Sequence, residues 1–217
     1  MDSNVENDVM RLSICMIVLN EEAIIHNTLE NLKNVADEIV IVDGGSTDKT
    51  QEICKEYTDK VYVRKFDGDF SAQKNYATYK CMGQWIFNID ADESMSDLLK
   101  KSIRDIIRLN SNVELIRIPR INKVQGITSI DAQEWGYKID LDGDINWPDF
   151  QDRLYRRRPE VIKWMNPVHE FITGYKTYAN LTDDKSDGLY LIHNKDIKRQ
   201  RRQNDFYSLY KFGIPLV

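Results

Sequence analysis

Between residues 12 and 95 the chain alternates short apolar runs with stretches of helical periodicity, and this alternation constrains its fold more than any other feature. "LSICMIVL" (residues 12–19) is a continuous apolar run of strand length. "NEEAIIHNTLENLKN" follows, with Ile24, Ile25, Leu29 and Leu32 at helical spacing. "DEIVIVDGGSTDKT" repeats the scheme: a strand, a Gly-Gly turn, then Ser46 to Asp48 placed to cap a helix carrying Ile53, Cys54 and Tyr57. "KVYVRKF" predicts a third strand, "SAQKNYATYKCM" a helix and "QWIFNI" a fourth strand. Strands separated by helices predict an α/β fold with a parallel sheet.

After "SDLLKKSIRDIIRLN", a predicted helix with Leu98, Leu99, Ile103, Ile106 and Ile107 inward, the alternation stops. "VELIRIPRINKV" opens a region of short strands and turns rich in Trp, Tyr and Pro, as expected of antiparallel strands closing one side of a site. "NKDIKRQRRQNDFYSLYKF" predicts a basic C-terminal helix. The expected organisation is a disordered start (1–10), an α/β half (11–110), a second half of the same domain (111–194) and the basic helix (195–217). Ending on "KFGIPLV" without a closing element leaves a longer native chain open.

Composition narrows the function classes. The formal charge of −5 argues against nucleic acid as a partner, and no apolar run reaches the length of a membrane span. The polar start "MDSNVENDVM" lacks the pattern of a signal peptide. Cys15, Cys54 and Cys81 are odd in number, far apart and set in apolar segments, which predicts buried thiols. Together these features predict a cytoplasmic protein. The basic helix presents either a solvated face or a weak contact with an anionic membrane or acceptor.

Ligands of open α/β sheets bind beyond the carboxyl ends of the strands, and the suspicious polar residues fall there. Asn20 and Glu22 follow the first strand, Asp43 the second, Asp67 and Asp69 the third, and Asp90 and Asp92 the fourth. "FNIDADES" adds Glu93 to the last pair. Like charges this close raise one another's pKa unless something positive sits among them. Either the cluster faces open water, or it holds a cation.

"ICMIVLNEE", "EIVIVDGGSTDKT", "SAQKNYA" and "WIFNIDADE", in this order, resemble the successive landmarks of the family 2 glycosyltransferases, inverting enzymes with the GT-A fold. That fold is a Rossmann-like, mostly parallel central sheet flanked by helices, with a smaller antiparallel acceptor-side region. "RLYRRRPEVIKWMNPVHE" with "LIHNK" is similar to the branch holding lipopolysaccharide core glucosyltransferases and peptide S-glycosyltransferases. The resemblance implies that Asp90 and Asp92, around Ala91, form an Asp-x-Asp motif holding Mn²⁺ or Mg²⁺ against the diphosphate of a UDP-sugar. It implies that His193 completes the metal shell and that Asp43 accepts a hydrogen bond from uracil. Val18, Leu19, Asn20 and Glu22 would line base and ribose, while Lys74 and Asn75 stand where the family carries Arg-Asn. For the general base that inversion requires, Glu170 is the first candidate, Asp149 the second and Asp152 a weaker third. Arg153 and Arg156 to Arg158 are candidate phosphate ligands, half of which strand alternation would send to solvent. Trp135, Tyr137 and Trp147 are candidates for stacking on a sugar. The acceptor is open among a glycan, a lipid-linked sugar and a peptide. Two rival readings are a sugar-phosphate nucleotidyltransferase, disfavoured by "LNEE" where a Gly-rich basic loop belongs, and a nucleotide-sugar-binding protein without turnover.

Overall fold

The structure is a computed structural model and describes residues 10–211. The expected disordered start lies outside the described residues except for Met10, whose sulfur accepts the indole N–H of Trp85 at 3.1 Å. The first half runs β1 (Leu12–Val18), α1 (Ile25–Leu32), β2 (Glu38–Asp43), α2 (Thr50–Lys55), β3 (Val61–Val63), α3 (Phe70–Lys80) and β4 (Trp85–Asn88). β1 pairs in parallel with β2 and β4, and β2 with β3, as the alternation predicts.

Both faces of β1 are covered, which is why its sequence is apolar without a break. Leu12, Ile14 and Met16 pack with Ile25, Leu29 and Leu32 of α1. Cys15 faces the other way, toward Val40, Val42, Ala77 and Cys81. All three cysteines are buried free thiols. α4 (Asp97–Leu109) joins the first layer through Leu99, Ile103, Ile106 and Ile107. Leu98, expected inward, is 47% exposed, because its neighbour Leu99 takes the inward direction of that turn and adjacent helical residues point about 100° apart.

The second half is one long hairpin with additions. β6 (Leu115–Gln125) and β7 (Ile145–Arg156) pair antiparallel with two register shifts, and β7 joins the first half by pairing antiparallel with β4. β11 (Leu191–Asp196) runs parallel to β6, β10 (Tyr178–Asn180) pairs with the start of β6, and β5 (Glu93–Met95) closes the far edge against β11. The main strand order is β3-β2-β1-β4-β7-β6-β11-β5. β4 and β5 therefore lie four places apart, about 19 Å in a flat sheet at ~4.8 Å per strand. The five peptide links from Asn88 to Glu93 reach only about 17 Å. The sheet must curl, and the segment Ile89–Asp92 is drawn across its concave side.

α5 (Ser129–Glu134) sits in the β6–β7 connection, and β8 (Lys163–Met165) with β9 (Phe171–Thr173) makes a small separate hairpin. The C-terminal helix α6 (Ile197–Lys211) starts two residues later than expected, since Lys195 and Asp196 complete β11; its last predicted residues lie outside the described ones. α2 ends at Lys55, so Tyr57 lies beyond it and hydrogen-bonds Glu30 at 2.9 Å. Among the described residues, no helix is long and apolar enough to cross a membrane.

Candidate active site

A cleft of about 1200 Å³ opens at the carboxyl ends of β1 and β4, lined also by residues of β6, β7 and α6. Val18, Leu19, Asn20, Lys74, Asp90, Ala91, Asp92, Asp149, Glu170 and His193 all line it. Asn75, Glu22 and the fully buried Asp43 do not.

The carboxylate cluster is balanced by the chain's own cations. Arg153 of β7, 3% exposed, donates from one terminal nitrogen to Asp90 Oδ2 and Glu93 Oε1, each at 2.6 Å. Arg120 of β6 reaches the fully buried Glu93 Oε1 at 2.6 Å. Lys74 Nζ lies 3.7 Å from Asp90 Oδ1 and 2.6 Å from Glu170 Oε1, above the Trp164 ring. Burial pushes the Asp90 carboxyl up, but Arg153 and Lys74 outweigh it and hold it well below the usual carboxylate range. The positive charge expected among the carboxylates is thus present as guanidinium and ammonium, a partnership the sequence hides because Arg153 lies 63 residues from Asp90.

Asp92 has a different set of partners. Its Oδ2 lies 3.2 Å from His193 Nε2, 3.2 Å from Arg199 Nε and 3.8 Å from Lys195 Nζ. Against the effect of burial, His193 and Lys195 hold its pKa down. The other ring nitrogen of His193 bonds Asn122 Oδ1 at 2.8 Å, which fixes the imidazole. A carboxylate oxygen beside an oriented imidazole suits Mn²⁺ or Mg²⁺ chemically, Mn²⁺ better for its nitrogen ligand, and the amide support is typical of ligating histidines. Asp90, two residues away, supplies a second carboxylate.

Asp43 is fully buried behind Gly44. Its Oδ1 accepts from the N–H groups of Gly45 and Ser46 (2.8 Å each) and from Gln51 (2.9 Å). Gly45 has φ +99, a conformation for which the Gly-Gly turn is needed. Asp43 Oδ2 is buried with no hydrogen-bond partner among the described residues, an unmet acceptor. Asn20, at φ 55, turns the chain so that its Oδ1 accepts from Thr47 N at 2.8 Å. Glu22, expected to line the nucleotide, is not on the cleft, and its neighbour Glu21 is. Glu22 is exposed and accepts from Lys49 N at 3.0 Å, whereas Glu21 points into the cleft and takes a two-pronged bond from Arg199, 2.8 Å on each prong.

Asn75 is a correction as well. Its amide clamps the backbone of Trp164, accepting from its N–H and donating to its C=O at 2.9 Å each, so it anchors β8 rather than facing the cleft. Asp67 pairs with Arg64, and Asp69 caps α3 by accepting from Ala72 N, so the third strand end is structural. Of the arginine run only Arg153 reaches the carboxylates. Arg156 covers Trp85, Arg157 bonds Tyr79 O at 3.5 Å, and Arg158 pairs with Glu114.

The two base candidates differ in how they are held. Asp149 accepts from Arg120, Asn122 and Gln151; burial raises its pKa, but Arg120 and Asn122 bring it below the usual range. Glu170 is bonded through one oxygen, to Lys74. Asp152 pairs with Arg117 at 2.7 Å. Glu170 ends a strained loop in which Asn166 and His169 have φ 72 and 55, and His169 packs on Tyr207 of α6. Tyr137 lines the cleft, while Trp147 packs on Tyr190 away from it. The basic helix is divided: Arg199 enters the cleft, while Lys198, Arg201 and Arg202 are exposed, Arg201 pairing with Asp131 at 2.8 Å. Outside the cleft, Asp140, Asp142 and Asp144 converge on the Lys185 ammonium at 2.5, 3.1 and 2.7 Å, a cluster that carries its own cation.

A curled α/β sheet with carboxylates gathered beyond its parallel strand ends defines the GT-A class of nucleotide-sugar fold. S. aureus TarS has a similar fold: its crystal structure in complex with UDP-GlcNAc superposes with a TM-score of 0.59 at 17% identity, covering 86% of this chain and 59% of that one. The sequence profile of glycosyl transferase family 2 matches residues 13–169, and the chain belongs to that family. The lipopolysaccharide core biosynthesis glycosyltransferase LpsC of Rhizobium meliloti is 35% identical over 113 residues, 50% of this chain and 42% of LpsC. An uncharacterized glycosyltransferase of Rickettsia typhi is 40% identical over 96 residues, 44% of this chain and 32% of that protein. The chain therefore spans well under half the length of these curated relatives.

Proposed function

We propose that this chain carries the catalytic site of an inverting glycosyltransferase that takes a UDP-sugar with Mn²⁺ or Mg²⁺ and acts in the cytoplasm on a glycan, lipid-linked sugar or peptide. The observation that carries the reading is the meeting of Asp92 with an oriented His193 on the cleft wall, two residues from Asp90. A divalent ion held by these three side chains would supply positive charge against the departing diphosphate. Val18, Leu19 and Asn20 line the end of β1 where base and ribose belong, and the unmet Oδ2 of Asp43 offers an acceptor for the uracil N–H. Lys74 sits between Asp90 and Glu170, which puts a cation at the boundary of donor and acceptor. TarS has been crystallised with UDP-GlcNAc, which supports a UDP-sugar as donor here.

Calorimetric titration with UDP tests the donor half. Binding should require Mn²⁺ or Mg²⁺, and a 100-fold excess over Kd should add about 2.7 kcal/mol to stability. Equal affinity in EDTA overturns the metal reading. Glu170 is the preferred base, since Asp149 is saturated with N–H donors that weaken it as a proton acceptor. Glu170→Gln should retain UDP binding while transfer falls by roughly 10²–10⁴-fold, with Asp149→Asn milder. A normal rate in Glu170→Gln beside a dead Asp149→Asn reverses that assignment.

A further inference from the structure

The arginine on the first turn of α6, Arg199, is held on the cleft at three points. Its backbone N–H is held by Asp196 Oδ1 at 2.8 Å, which fixes its place on the helix. Its two terminal nitrogens form the end-on fork to Glu21, and its Nε points at Asp92 Oδ2. A guanidinium has five N–H groups in a rigid plane. With one hydrogen of each terminal nitrogen given to Glu21, a side-on fork remains: Nε–H and the outer N–H beside it, on the edge facing Asp92.

Glu21 and Asp92 are already met by Arg199 and Lys195, with the His193 imidazole also on Asp92. A divalent cation at Asp92 would add two positive charges and compete with Arg199 for the same carboxylate oxygen. The side-on fork is then released while Glu21 keeps it aimed, and the surplus charge calls for a dianionic group alongside. Bidentate N–H recognition of a phosphate is what such a fork is shaped for, and lysine cannot reproduce it.

We propose that Arg199 is a diphosphate-binding residue of the donor site, with Glu21 as its positioning residue, and that it exchanges Asp92 for a phosphate oxygen when a divalent cation takes that carboxylate. The proposal rests on the UDP-sugar reading above and extends it to α6, which makes the C-terminal helix part of the donor site. It also predicts effects of opposite sign from a single substitution. Without nucleotide, Arg199→Gln removes a competitor for Asp92, so Mn²⁺ should bind about 2- to 5-fold more tightly by electron paramagnetic resonance, the scale of one exposed-edge ionic contact. With Mg²⁺ saturating, calorimetry should show UDP bound roughly 10- to 100-fold more weakly by Arg199→Gln and Arg199→Lys, as for loss of hydrogen bonds to a charged group. Uridine, lacking phosphate, should bind all of them equally. Glu21→Gln should weaken UDP in the same direction by a smaller factor. Wild-type affinity for UDP in both Arg199 variants overturns the proposal, as does an equal loss of UDP and uridine, which would make α6 only a wall. Unchanged Mn²⁺ affinity in Arg199→Gln refutes the sharing of Asp92, and tighter UDP binding in Glu21→Gln refutes the positioning role. A wild-type chain that binds Mn²⁺ but no UDP defeats the donor reading itself, and the proposal with it.

Discussion

Arg153→Met is the sharpest test of how the carboxylate cluster is held. The substitution keeps an unbranched side chain in a 3%-exposed site and removes the guanidinium with its charge and its N–H donors. Glu93, with no exposed side-chain surface, keeps Arg120 and the Asp90 N–H at 3.1 Å, and Asp90 keeps Lys74 at 3.7 Å. The Asn88 Oδ1 bond at 3.2 Å goes too. Removing one partner of a buried pair typically costs about 3–5 kcal/mol, because the other charge stays in a poorly solvated place. For a chain of this size each kcal/mol moves the melting temperature by about 2–4 °C, so a fall of about 6–20 °C is expected. Urea unfolding of wild type, Arg153→Met, Glu93→Gln and the double variant gives the cycle. Neutralising Glu93 should recover part of the loss, with a coupling of about 0.5–3 kcal/mol. A loss below about 1 kcal/mol, or a double variant no better than Arg153→Met, refutes the claim that these arginines stand in for a cation.

Asp90 and Asp92 have folded pKa values below their unfolded ones, so the stability they contribute is complete above the unfolded value, about 3.9, and is lost as pH falls further. Asp90→Asn and Asp92→Asn should each flatten the pH dependence of stability below about pH 4, and slopes equal to wild type contradict this. Asn75→Ala should cost about 1–3 kcal/mol in urea unfolding while UDP affinity is retained, because both of its bonds go to the Trp164 backbone; a large loss of UDP affinity in folded protein would return Asn75 to the donor site. Asp43→Ala should weaken UDP more than Mn²⁺, and unchanged UDP affinity makes Asp43 a turn residue only.

The sequence made the first half legible because its signals are local. An apolar run covered on both faces reads the same in sequence as in the fold, and β1, β2 and β4 sit where those runs lie. The strand ends then carried Asp43, Asp90 and Asp92 to one side by geometry alone. Order in the second half is not local. That β7 would join β4, and that β5 would lie four places from β4 after only four intervening residues, depends on sheet curl and long-range pairing that periodicity does not encode. Glu22 was the wrong choice between adjacent glutamates for a narrower reason: the chain turns at Asn20 with a positive φ that the sequence does not announce, and Glu21 is the one on the cleft.

The carboxylate cluster shows where charge reasoning from sequence runs out. Three acids in four residues require positive charge nearby, but the sequence does not say whether it comes from an ion or from the chain. The structure divides the answer. Glu93 and Asp90 are met by arginines and a lysine from distant segments, so this part of the cluster is stable without any metal. Asp92 faces the cleft with His193 and Arg199 each 3.2 Å from the same carboxylate oxygen, the oxygen a metal would need. Within the proposed metal site, Asp90 therefore brings arginine and lysine partners of its own, while Asp92 is the residue at which a metal would exchange with Arg199. Metal dependence of UDP binding should accordingly be lost in Asp92→Asn, whereas Asp90→Asn should weaken metal binding and lower stability together.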